Sequence, residues 1–356
     1  MKILIISSLQ EETPPKGYGG IERFIDYLAI SLTNKNHAIH VICKKGSVQS
    51  NYTKLCVEPK KLMEGVKEEI NAFRPDIVHI NQRENELISF LNQTEIPTVI
   101  TLHNNVRNNS SWIPIFETLN NNFFITTISE NLKKRVIEAT KSQNKQMHVN
   151  KLTTLGYGID TSLYKQFADI DIEKEYFVYL GNVVRYKGVL DIVKSFSCTD
   201  QKLIVVGPEN RYAEPEYIQQ LHEYYNKFPN LKYFGETSND LEKITLLSKA
   251  KGLVIATGYD PLEADCHEAF GLVMLEANAL GVPVFGYAKG NVADYIIDGG
   301  NGYKFNNILE LQDLIKKASI EDLFSKCLNI AEHYDINKIS QKYENFFNKV
   351  LKRTHE

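Results

Sequence analysis

The chain has 356 residues, which is too long for one ordinary domain and fits two compact domains of roughly 100–200 residues each. With 43% hydrophobic and 24% charged residues, its composition is that of a globular protein that can bury two cores. A formal net charge of −3 argues against a nucleic-acid-binding protein that depends on attraction over its whole surface, so we expect no nucleic-acid partner.

The cysteines and the apolar segments bear on the cellular location of the protein. The five cysteines are scattered and form no Cys-x-x-Cys pair, which favours reduced thiols in a cytosolic protein over disulfides or a zinc knuckle. Residues 1–9 are apolar but lack the small-residue cleavage site of a signal peptide, and they predict a first strand. No apolar stretch approaches the ~20 residues of a transmembrane helix. We therefore expect a cytoplasmic protein, with any membrane contact peripheral and at the inner face.

The first half of the sequence alternates short apolar runs with helical patterns. Between the first two runs, apolar residues recur with helical spacing and predict a helix with one apolar face. Continuous apolar strands separated by helices are typical of a parallel sheet covered on both faces. The runs predict strands at 3–7, 39–43, 76–80, 98–103 and 124–128.

The second half repeats this plan. Its apolar runs predict strands at 176–180, 203–206, 231–234, 253–256 and 283–285. Helical patterns lie near 187–197, 214–227, 239–250, 271–280 and 291–297. An amphipathic pattern at 336–352 predicts a terminal helix.

The polar, acidic segment 165–175 has no clear period and marks a domain boundary. We expect an N-terminal Rossmann-like domain at 1–168 and a C-terminal one at 169–335. The segment 336–356 is expected to pack back on the N-terminal domain. Doubly wound domains bind ligands at the C-terminal ends of their strands, so a cleft between two such edges would be the expected active site.

The most informative stretch begins at Glu268. Gly271 and Gly281 bracket a run of helix formers, which predicts a buried helix at 272–280. Free N–H groups at the start of such a helix form an anion site suited to a diphosphate. Glu268 before the helix and Glu276 inside it could then bind hydroxyls at opposite ends of the ligand. The spacing also fits a helix-start acid plus one buried structural glutamate, because acids are favoured at helix N-termini.

This stretch closely resembles the E-x7-E signature of glycosyltransferase family 4, retaining enzymes of the GT-B fold, and the match continues through Gly-Val-Pro-Val at 281–284. The resemblance implies two Rossmann-like doubly wound domains facing across a cleft, with the acceptor side at 1–168 and the nucleotide-sugar donor side at 169–335. It implies that Glu268 contacts the donor sugar hydroxyls and that Glu276 contacts the ribose. It also places four backbone segments beside the sugar and the diphosphate, those of Phe270, Gly271, Leu272 and Val273.

Two cations, Arg185 and Lys187, follow the strand predicted at 176–180. They could neutralise a diphosphate and stabilise it as a leaving group. The alternative is a solvated basic helix start, which the helix dipole disfavours at that end. The family usually has arginine directly after the strand-end glycine, where this chain has Asn182. We therefore expect Arg185 to supply that charge from a nearby position, and Asn182 to lie beside the donor.

Further positions follow from the resemblance. The segment 17–20 resembles the family's N-terminal Gly-Gly loop, which places Gly19 and Gly20 near the donor diphosphate. Gly207, with the segment 210–217 after it, would lie near the nucleotide base. His103 ends a strand in the family's Thr-x-His pattern, which implies contact with the donor sugar and the reaction centre, although a lone histidine is often structural. The glycines come too late after the first strand for a dinucleotide fingerprint, which argues against an NAD enzyme.

The segment 259–267 makes the loop before Glu268 longer than is usual in the family. It carries three acids, a cysteine and a histidine, which could suggest a metal site. These ligands are crowded and no second cluster completes a site, so we predict no metal. We expect the loop to shape the choice of donor or acceptor, or to pack on a partner chain.

The resemblance implies a retaining glycosyltransferase that moves a hexose-type sugar from a nucleoside-diphosphate sugar to an acceptor hydroxyl without a metal or other cofactor. A UDP-sugar is the expected donor, because it is the commonest in the family; glycan, lipid-linked, small-molecule and protein acceptors stay open. A nucleotide-sugar epimerase or hydrolase of the same fold is one alternative, and a non-catalytic sugar-nucleotide-binding protein is another. The basic residues 133–135 could touch acidic lipid headgroups or simply face solvent.

Overall fold

In the computed structural model the chain forms two compact units, Met1–Ile159 with Ile336–Glu356, and Asp160–Asp335. Each unit contains one parallel β-sheet with helices packed against it. This confirms the expected fold class of two Rossmann-like α/β domains. The structure describes residues 1–17, 19–48, 50–106, 110, 113–145, 152–209, 213–318 and 320–354.

The first unit has a seven-stranded sheet with the order β3-β2-β1-β4-β5-β6-β7. Its strands are β1 (Lys2–Ile6), β2 (Ala38–Lys44), β3 (Thr53–Val57), β4 (Ile77–Ile80), β5 (Thr98–Leu102), β6 (Phe123–Thr127) and β7 (Leu152–Thr154). Its helices are α1 (Gly20–Asn34), α2 (Leu62–Phe73), α3 (Asn85–Leu91), α4 (Glu130–Ser142) and α13 (Ile336–Thr354). Every residue of β4, β5 and β6 is buried, as the continuous apolar runs predicted.

The second unit has a six-stranded sheet with the order β10-β9-β8-β11-β12-β13. Its strands are β8 (Tyr176–Leu180), β9 (Leu203–Val206), β10 (Leu231–Gly235), β11 (Ala250–Ile255), β12 (Val284–Tyr287) and β13 (Gly302–Phe305). Its helices are α5 (Thr161–Lys165), α6 (Val189–Ser197), α7 (Pro215–Lys227), α8 (Asp240–Ser248), α9 (Leu272–Ala279), α10 (Gly290–Tyr295), α11 (Ile308–Lys317) and α12 (Phe324–Ala331).

Each sheet reverses its strand order once. In the first sheet the chain runs outward from β1 to β3 and then continues on the other side of β1 with β4. In the second sheet it runs from β8 to β10 and continues on the other side of β8 with β11. Such a reversal opens a crevice at the C-terminal ends of the two central strands, which is where doubly wound sheets bind ligands.

Three strands were not expected from the sequence: β3, β7 and β13. Each forms an edge of its sheet and is short or half-exposed, so it lacks the continuous apolar run of a central strand. The second unit begins at Asp160, ahead of the expected boundary at 168/169. The Asp160 carboxylate accepts hydrogen bonds from the first N–H groups of α5, which starts this unit inside the segment assigned to the first domain.

Helix α13 closes the first unit against α1. Ile339, Tyr343, Phe347 and Val350 bury one face of this amphipathic helix. The Ser340 hydroxyl lies 2.8 Å from that of Ser31 on α1, so the two helices also share a buried polar contact. Helix α13, near the C-terminal end of the sequence, therefore contributes to the core of the first unit.

In the part of the chain that the structure describes, every helix is too short or too polar to cross a bilayer. Of the basic residues 133–135 on α4, Lys134 is exposed, whereas Arg135 donates to the carbonyl of Val106 at 3.0 Å. The side chain of Arg135 is thus held by the first unit itself.

Replacing Phe347 by alanine should destabilise the first unit by about 3–5 kcal/mol, because a fully buried ring leaves a cavity behind. Urea unfolding followed by circular dichroism measures the change. Lys349→Ala, on the exposed face of the same helix, should stay within about 0.5 kcal/mol of the wild type. Equal effects of the two substitutions would show that α13 is not part of the core.

Candidate active site

The candidate residues of the second unit follow the two central strands at which the strand order reverses. Asn182 and the 3₁₀ turn Arg185–Lys187 come after β8, and Thr257 and Glu268 come after the neighbouring β11. Since both strands are parallel, the segments that follow them emerge at the same edge of the sheet. The topology therefore brings together residues that are far apart in the sequence.

Lys187 and Glu268 form an ion pair at this edge. The Lys187 ammonium lies 2.6 Å from Oε2 of Glu268, and the Thr257 hydroxyl donates to the same oxygen at 2.9 Å. The two charged side chains are 18% and 16% exposed, so they remain reachable from solvent. The sequence predicted both residues for the donor site, and the structure places them in direct contact.

Gly188 allows Lys187 to approach the end of β11. Its φ of +68° lies in the left-handed region, and a Cβ atom there would lie 2.4 Å from the carbonyl oxygen of Ala256. Any other residue would push the turn that carries Lys187 away from Thr257 and its neighbours. The position of the lysine therefore depends on a glycine.

Helix α9 begins directly after Gly271, where the sequence predicted a helix at 272–280. Gly271 has a φ of +85°, and a Cβ atom there would lie 3.0 Å from Cγ of Glu268 and 2.7 Å from Cε of Met274. Leu272 and Val273 in the first turn are half-buried, whereas the rest of the helix is buried. The N-terminal end of α9 thus remains partly open beside the Glu268 carboxylate.

Helix α10 fixes the segment between Glu268 and α9 through hydrogen bonds from Asn291. The Asn291 amide in α10 donates to the carbonyl of Phe270 at 2.7 Å, and the Asn291 N–H donates to that of Glu268 at 3.3 Å. These bonds set the backbone that precedes the first turn of α9. The loop conformation at Phe270 is therefore determined by its surroundings before any ligand is bound.

The electrostatics keep Glu268 ionised. Burial alone would raise the pKa of its carboxyl, but the Lys187 ammonium and the Thr257 hydroxyl favour the anion more strongly. The pKa of Glu268 therefore lies below its ordinary value of 4.5. At neutral pH the site presents a carboxylate that can accept hydrogen bonds from hydroxyl groups.

Glu276 lies inside α9 and is more deeply buried. Its Oε1 accepts a hydrogen bond from the ammonium of Lys243 on α8 at 2.6 Å, and another from the hydroxyl of Tyr164 on α5 at 2.8 Å. Neither partner was identified from the sequence. One feature of the sequence could have pointed to Lys243: this lysine stands on the face of α8 that the helical pattern makes apolar, next to Ile244.

Arg185 is bound by two carboxylates. Its guanidinium donates to Glu214 at 2.5 Å and to Asp260 at 3.2 Å, and it lies 5.0 Å above the ring of Tyr217. These contacts link the 3₁₀ turn after β8 to the start of α7 and to the segment 259–267. The charge of Arg185 is therefore balanced by two carboxylates of the protein, and its expected contact with a diphosphate stays a prediction.

Asn182 and Gly207 lie where β8 and β9 end. Gly207 has a φ of +139°, and a Cβ atom there would lie 1.9 Å from the carbonyl oxygen of Gly181, so only glycine fits. Asn182 is nine-tenths buried, and its Oδ1 has no hydrogen-bond partner among the described residues. The segment 210–217 begins with residues 210–212, which lie outside the described part of the chain.

In the first unit, Gly19 and Gly20 stand at the start of α1. Gly19 has a φ of +143°, and a Cβ atom there would lie 2.6 Å from the ring of Pro15. The Arg23 guanidinium donates to the carbonyl of Gly17 at 2.9 Å and ties the preceding loop to the helix. Tyr18, inside the same loop, lies outside the described residues.

His103 follows β5, as predicted, and both of its ring nitrogens have partners. The Asn81 side chain donates through Nδ2 to a backbone carbonyl, so its Oδ1 accepts from Nε2 of His103 at 2.9 Å. Nδ1 of His103 then accepts from the hydroxyl of Tyr157. Burial lowers the pKa of His103 well below its usual range, and nearby His79 and Arg83 lower it further. The imidazole is therefore neutral at physiological pH.

The segment 259–267 is anchored at several points. Asp260 caps the 3₁₀ turn Pro261–Glu263, and the Lys289 ammonium donates to the carbonyls of Gly258 and Ala264. Within the described residues, no three His, Cys, Asp or Glu side chains are grouped closely enough to share a metal ion. Asp260 accepts hydrogen bonds from the Arg185 guanidinium and the Leu262 N–H, and Glu263 accepts one from the thiol of Cys266 at 3.2 Å.

Comparisons with known proteins match both units. Residues 18–162 match the family model described as Glycosyltransferase Family 4, and residues 160–332 match that described as Glycosyl transferases group 1. The two matches together span most of the chain. They meet where the structure passes from the first unit to the second.

Similar curated proteins cover part of the chain. The capsular polysaccharide biosynthesis glycosyltransferase CapM of Staphylococcus aureus is 25% identical over 258 residues, which are 65% of this chain and 62% of that protein. The N-acetyl-alpha-D-glucosaminyl L-malate synthase of Bacillus anthracis is 26% identical over 208 residues, which are 54% of this chain and 50% of that protein. The matched region thus spans less than two thirds of the length of either relative.

A similar solved structure covers nearly the whole chain. Anabaena HepE in complex with UDP-glucose superposes with a TM-score of 0.75 at 17% identity, covering 98% of this chain and 100% of that chain. At this identity the similarity shows a shared fold.

Glu268→Gln should remove a pH-dependent part of the stability of the second unit. Because the pKa of Glu268 is lower in the folded than in the unfolded chain, its pairing stabilises the fold above pH 4.5, and this contribution is lost as the pH falls further. Unfolding measured from pH 7 to pH 3 should therefore show a stability difference between wild type and variant that shrinks on acidification. A difference that grows on acidification would contradict the assigned direction of the shift.

Proposed function

Because this chain belongs to the glycosyltransferases of the family 4 type and has the GT-B fold, we propose that it is a retaining enzyme that transfers a hexose-type sugar from a nucleoside-diphosphate sugar to an acceptor hydroxyl. The contact between Lys187 and Glu268 beside the half-buried first turn of α9 carries the proposal. It puts a cation for phosphate and a carboxylate for sugar hydroxyls at one edge of a doubly wound sheet. A UDP-sugar is the first donor to test, since HepE was solved with UDP-glucose.

The residues of the second unit divide between the parts of the donor. Glu268 would bind hydroxyls of the transferred sugar, and the amides of the first turn of α9 would bind the diphosphate. Glu276 would bind the ribose. The groups expected to line the rest of the donor are Asn182, Gly207 and the backbone of Phe270, Gly271, Leu272 and Val273.

Lys187 is the cation best placed to stabilise the leaving diphosphate. It is reachable from solvent, and its partner Glu268 is itself a proposed ligand of the sugar. Arg185 would first have to exchange Glu214 and Asp260 for the phosphate, because both carboxylates oppose a second anion beside it. We therefore assign the main charge stabilisation to Lys187 and a secondary part to Arg185.

The transfer needs no protein nucleophile and no metal. The bond between the anomeric carbon and the β-phosphate oxygen breaks as the acceptor hydroxyl attacks from the same face, and the departing diphosphate takes the proton of that hydroxyl. Lys187 and the amides of α9 stabilise the charge that develops on the diphosphate. Gly19, Gly20 and His103 are proposed as the contribution of the first unit. The neutral imidazole of His103 would act through its position beside the donor sugar and would not gain or lose a proton.

The acceptor is proposed to be a hydroxyl of a glycan, a glycolipid, a small molecule or a protein. CapM is named for capsular polysaccharide biosynthesis, whereas the relative from Bacillus anthracis is named for a product that contains malate. These two names favour glycan and small-molecule acceptors as the first to be screened.

A thermal-shift screen of the full chain against UDP-, GDP- and ADP-sugars tests donor binding. One nucleotide class should raise Tm, since ligand at about 100 times its Kd adds about 2.7 kcal/mol to stability. No shift with any of the three would contradict the proposal. Release of free nucleotide without an acceptor would instead indicate the epimerase or hydrolase, and binding without turnover across an acceptor screen would indicate a binding protein.

Glu268→Gln should lower sugar transfer at least about tenfold while the protein stays folded, because one hydrogen-bonded charge near the reacting sugar is lost. Initial rates with the donor identified above measure the change, and EDTA should leave the wild-type rate unaltered. Glu223→Gln, an exposed acid of the same unit, is the matched control and should transfer normally. Equal rates for wild type and Glu268→Gln would remove Glu268 from the site.

A further inference from the structure

Glu276, Lys243 and Tyr164 form a buried polar cluster contributed by three helices of the second unit, which we call the Glu276 cluster. The ammonium of Lys243 and the hydroxyl of Tyr164 both donate to Oε1 of Glu276, at 2.6 and 2.8 Å. The side chains of Lys243 and Glu276 are only 7% and 4% exposed. The Lys243 ammonium also lies 6.0 Å from the centroid of the Tyr164 ring, so both donors approach Glu276 from neighbouring positions.

Stability alone does not account for this cluster. Removing a lysine and a glutamate from water costs several kcal/mol per ion, and apolar replacements of buried pairs are often neutral or stabilising. Lys243 lies beside the buried Ile244 and near Leu247 on α8, where an apolar residue would fit the helical pattern. An exposed alternative exists in Asp240, but the ammonium lies farther from its carboxylate, at 3.6 Å, than from Glu276.

The two glutamates of the signature are held in the same way. Glu268 receives one lysine and one hydroxyl on a single oxygen, from Lys187 and Thr257. Glu276 likewise receives one lysine and one hydroxyl on a single oxygen. The difference is depth: Lys187 is reachable from solvent, whereas Lys243 is almost fully covered.

This difference separates two roles. A reachable lysine can contact a bound anion directly, but a covered lysine can act on a ligand only through the carboxylate that it holds. Two donors on one oxygen restrict rotation of the carboxylate about its last bond, so its orientation is set before a ligand arrives. The Glu276 cluster is therefore built to present a carboxylate in one fixed direction.

We propose that Lys243 and Tyr164 are positioning residues that orient Glu276 toward the vicinal hydroxyls of the nucleotide ribose. The inference rests on the proposed function, since it takes a nucleoside diphosphate as the ligand of this unit. A fixed carboxylate binds two neighbouring hydroxyls with little loss of side-chain freedom, and so discriminates ribose from a sugar that lacks them.

The test compares ribonucleotide binding with dideoxynucleotide binding in the full-length protein. The probes are UDP, GDP or ADP, whichever raises Tm, and its 2′,3′-dideoxy form, with Kd measured by calorimetry. The wild type should bind the ribonucleotide about tenfold more tightly or better, as expected for hydrogen bonds to a charged group. Lys243→Met should remove most of this preference and leave the Kd of the dideoxy form within about twofold.

Three further variants separate positioning from a general structural role. Tyr164→Phe removes only the hydroxyl and should lower the preference about threefold, which keeps the test available if Lys243→Met does not fold. Glu276→Gln should lose the preference, and adding Lys243→Met to it should change nothing more, because both act through one carboxylate. Lys249→Met, which breaks an exposed pair with Glu175, is the control and should keep the wild-type preference.

The outcomes distinguish the inference from the function on which it rests. Full ribose preference in folded Lys243→Met and Tyr164→Phe would overturn the positioning role. Equal weakening of both nucleotide forms by these variants would show a purely structural role and would also overturn it. A wild type that transfers sugar but shows no ribose preference would refute the inference and leave the proposed function standing. Absence of any nucleotide binding would refute both.

Discussion

The ion pair between Lys187 and Glu268 is the interaction on which the candidate site depends. It joins two segments that lie 81 positions apart in the sequence, and it does so because β8 and β11 are neighbours at the reversal of the strand order. Two glycines make the approach possible, Gly188 beside β11 and Gly271 beside the glutamate. Lys187 and Thr257 keep the carboxylate charged despite its burial, and the pair is still exposed enough to meet a ligand.

The charged residues of the candidate site form three groups that differ in their partners and in their exposure. Lys187 and Glu268 are reachable, and each can exchange its partner for a ligand group. Lys243 lies beneath Glu276 and acts only through it, as the depth of burial requires. Arg185 is held between Glu214 and Asp260, where it connects the segment 259–267 to the rest of the unit. A charged residue near a site therefore shows its role by what it contacts and by how much water reaches it.

The two units follow one plan but differ in what stands at the ends of their central strands. In the second unit these ends carry charged side chains, whereas in the first unit His103 is neutral and hydrogen-bonded to Asn81 and Tyr157. The loop before Gly19 is likewise tied to α1 by the hydrogen bond from Arg23 to the carbonyl of Gly17, and Pro15 leaves no room for a side chain at Gly19. The two cations proposed to neutralise a diphosphate, Arg185 and Lys187, thus belong to the second unit, whereas the residues proposed from the first unit, Gly19, Gly20 and His103, are uncharged.

The sequence by itself determined the two parallel sheets, the helix after Gly271 and the family, because continuous apolar runs, glycine stops and the spacing of Glu268 and Glu276 are local patterns. Only the tertiary structure decided the edge strands β3, β7 and β13, the balanced charge of Arg185, and the partners of the two glutamates, which are Thr257, Lys243 and Tyr164. Tyr164 lies 112 positions from Glu276, and no local period relates them. Their contact exists because separate helices pack together on one sheet, which a pattern read along the chain does not contain.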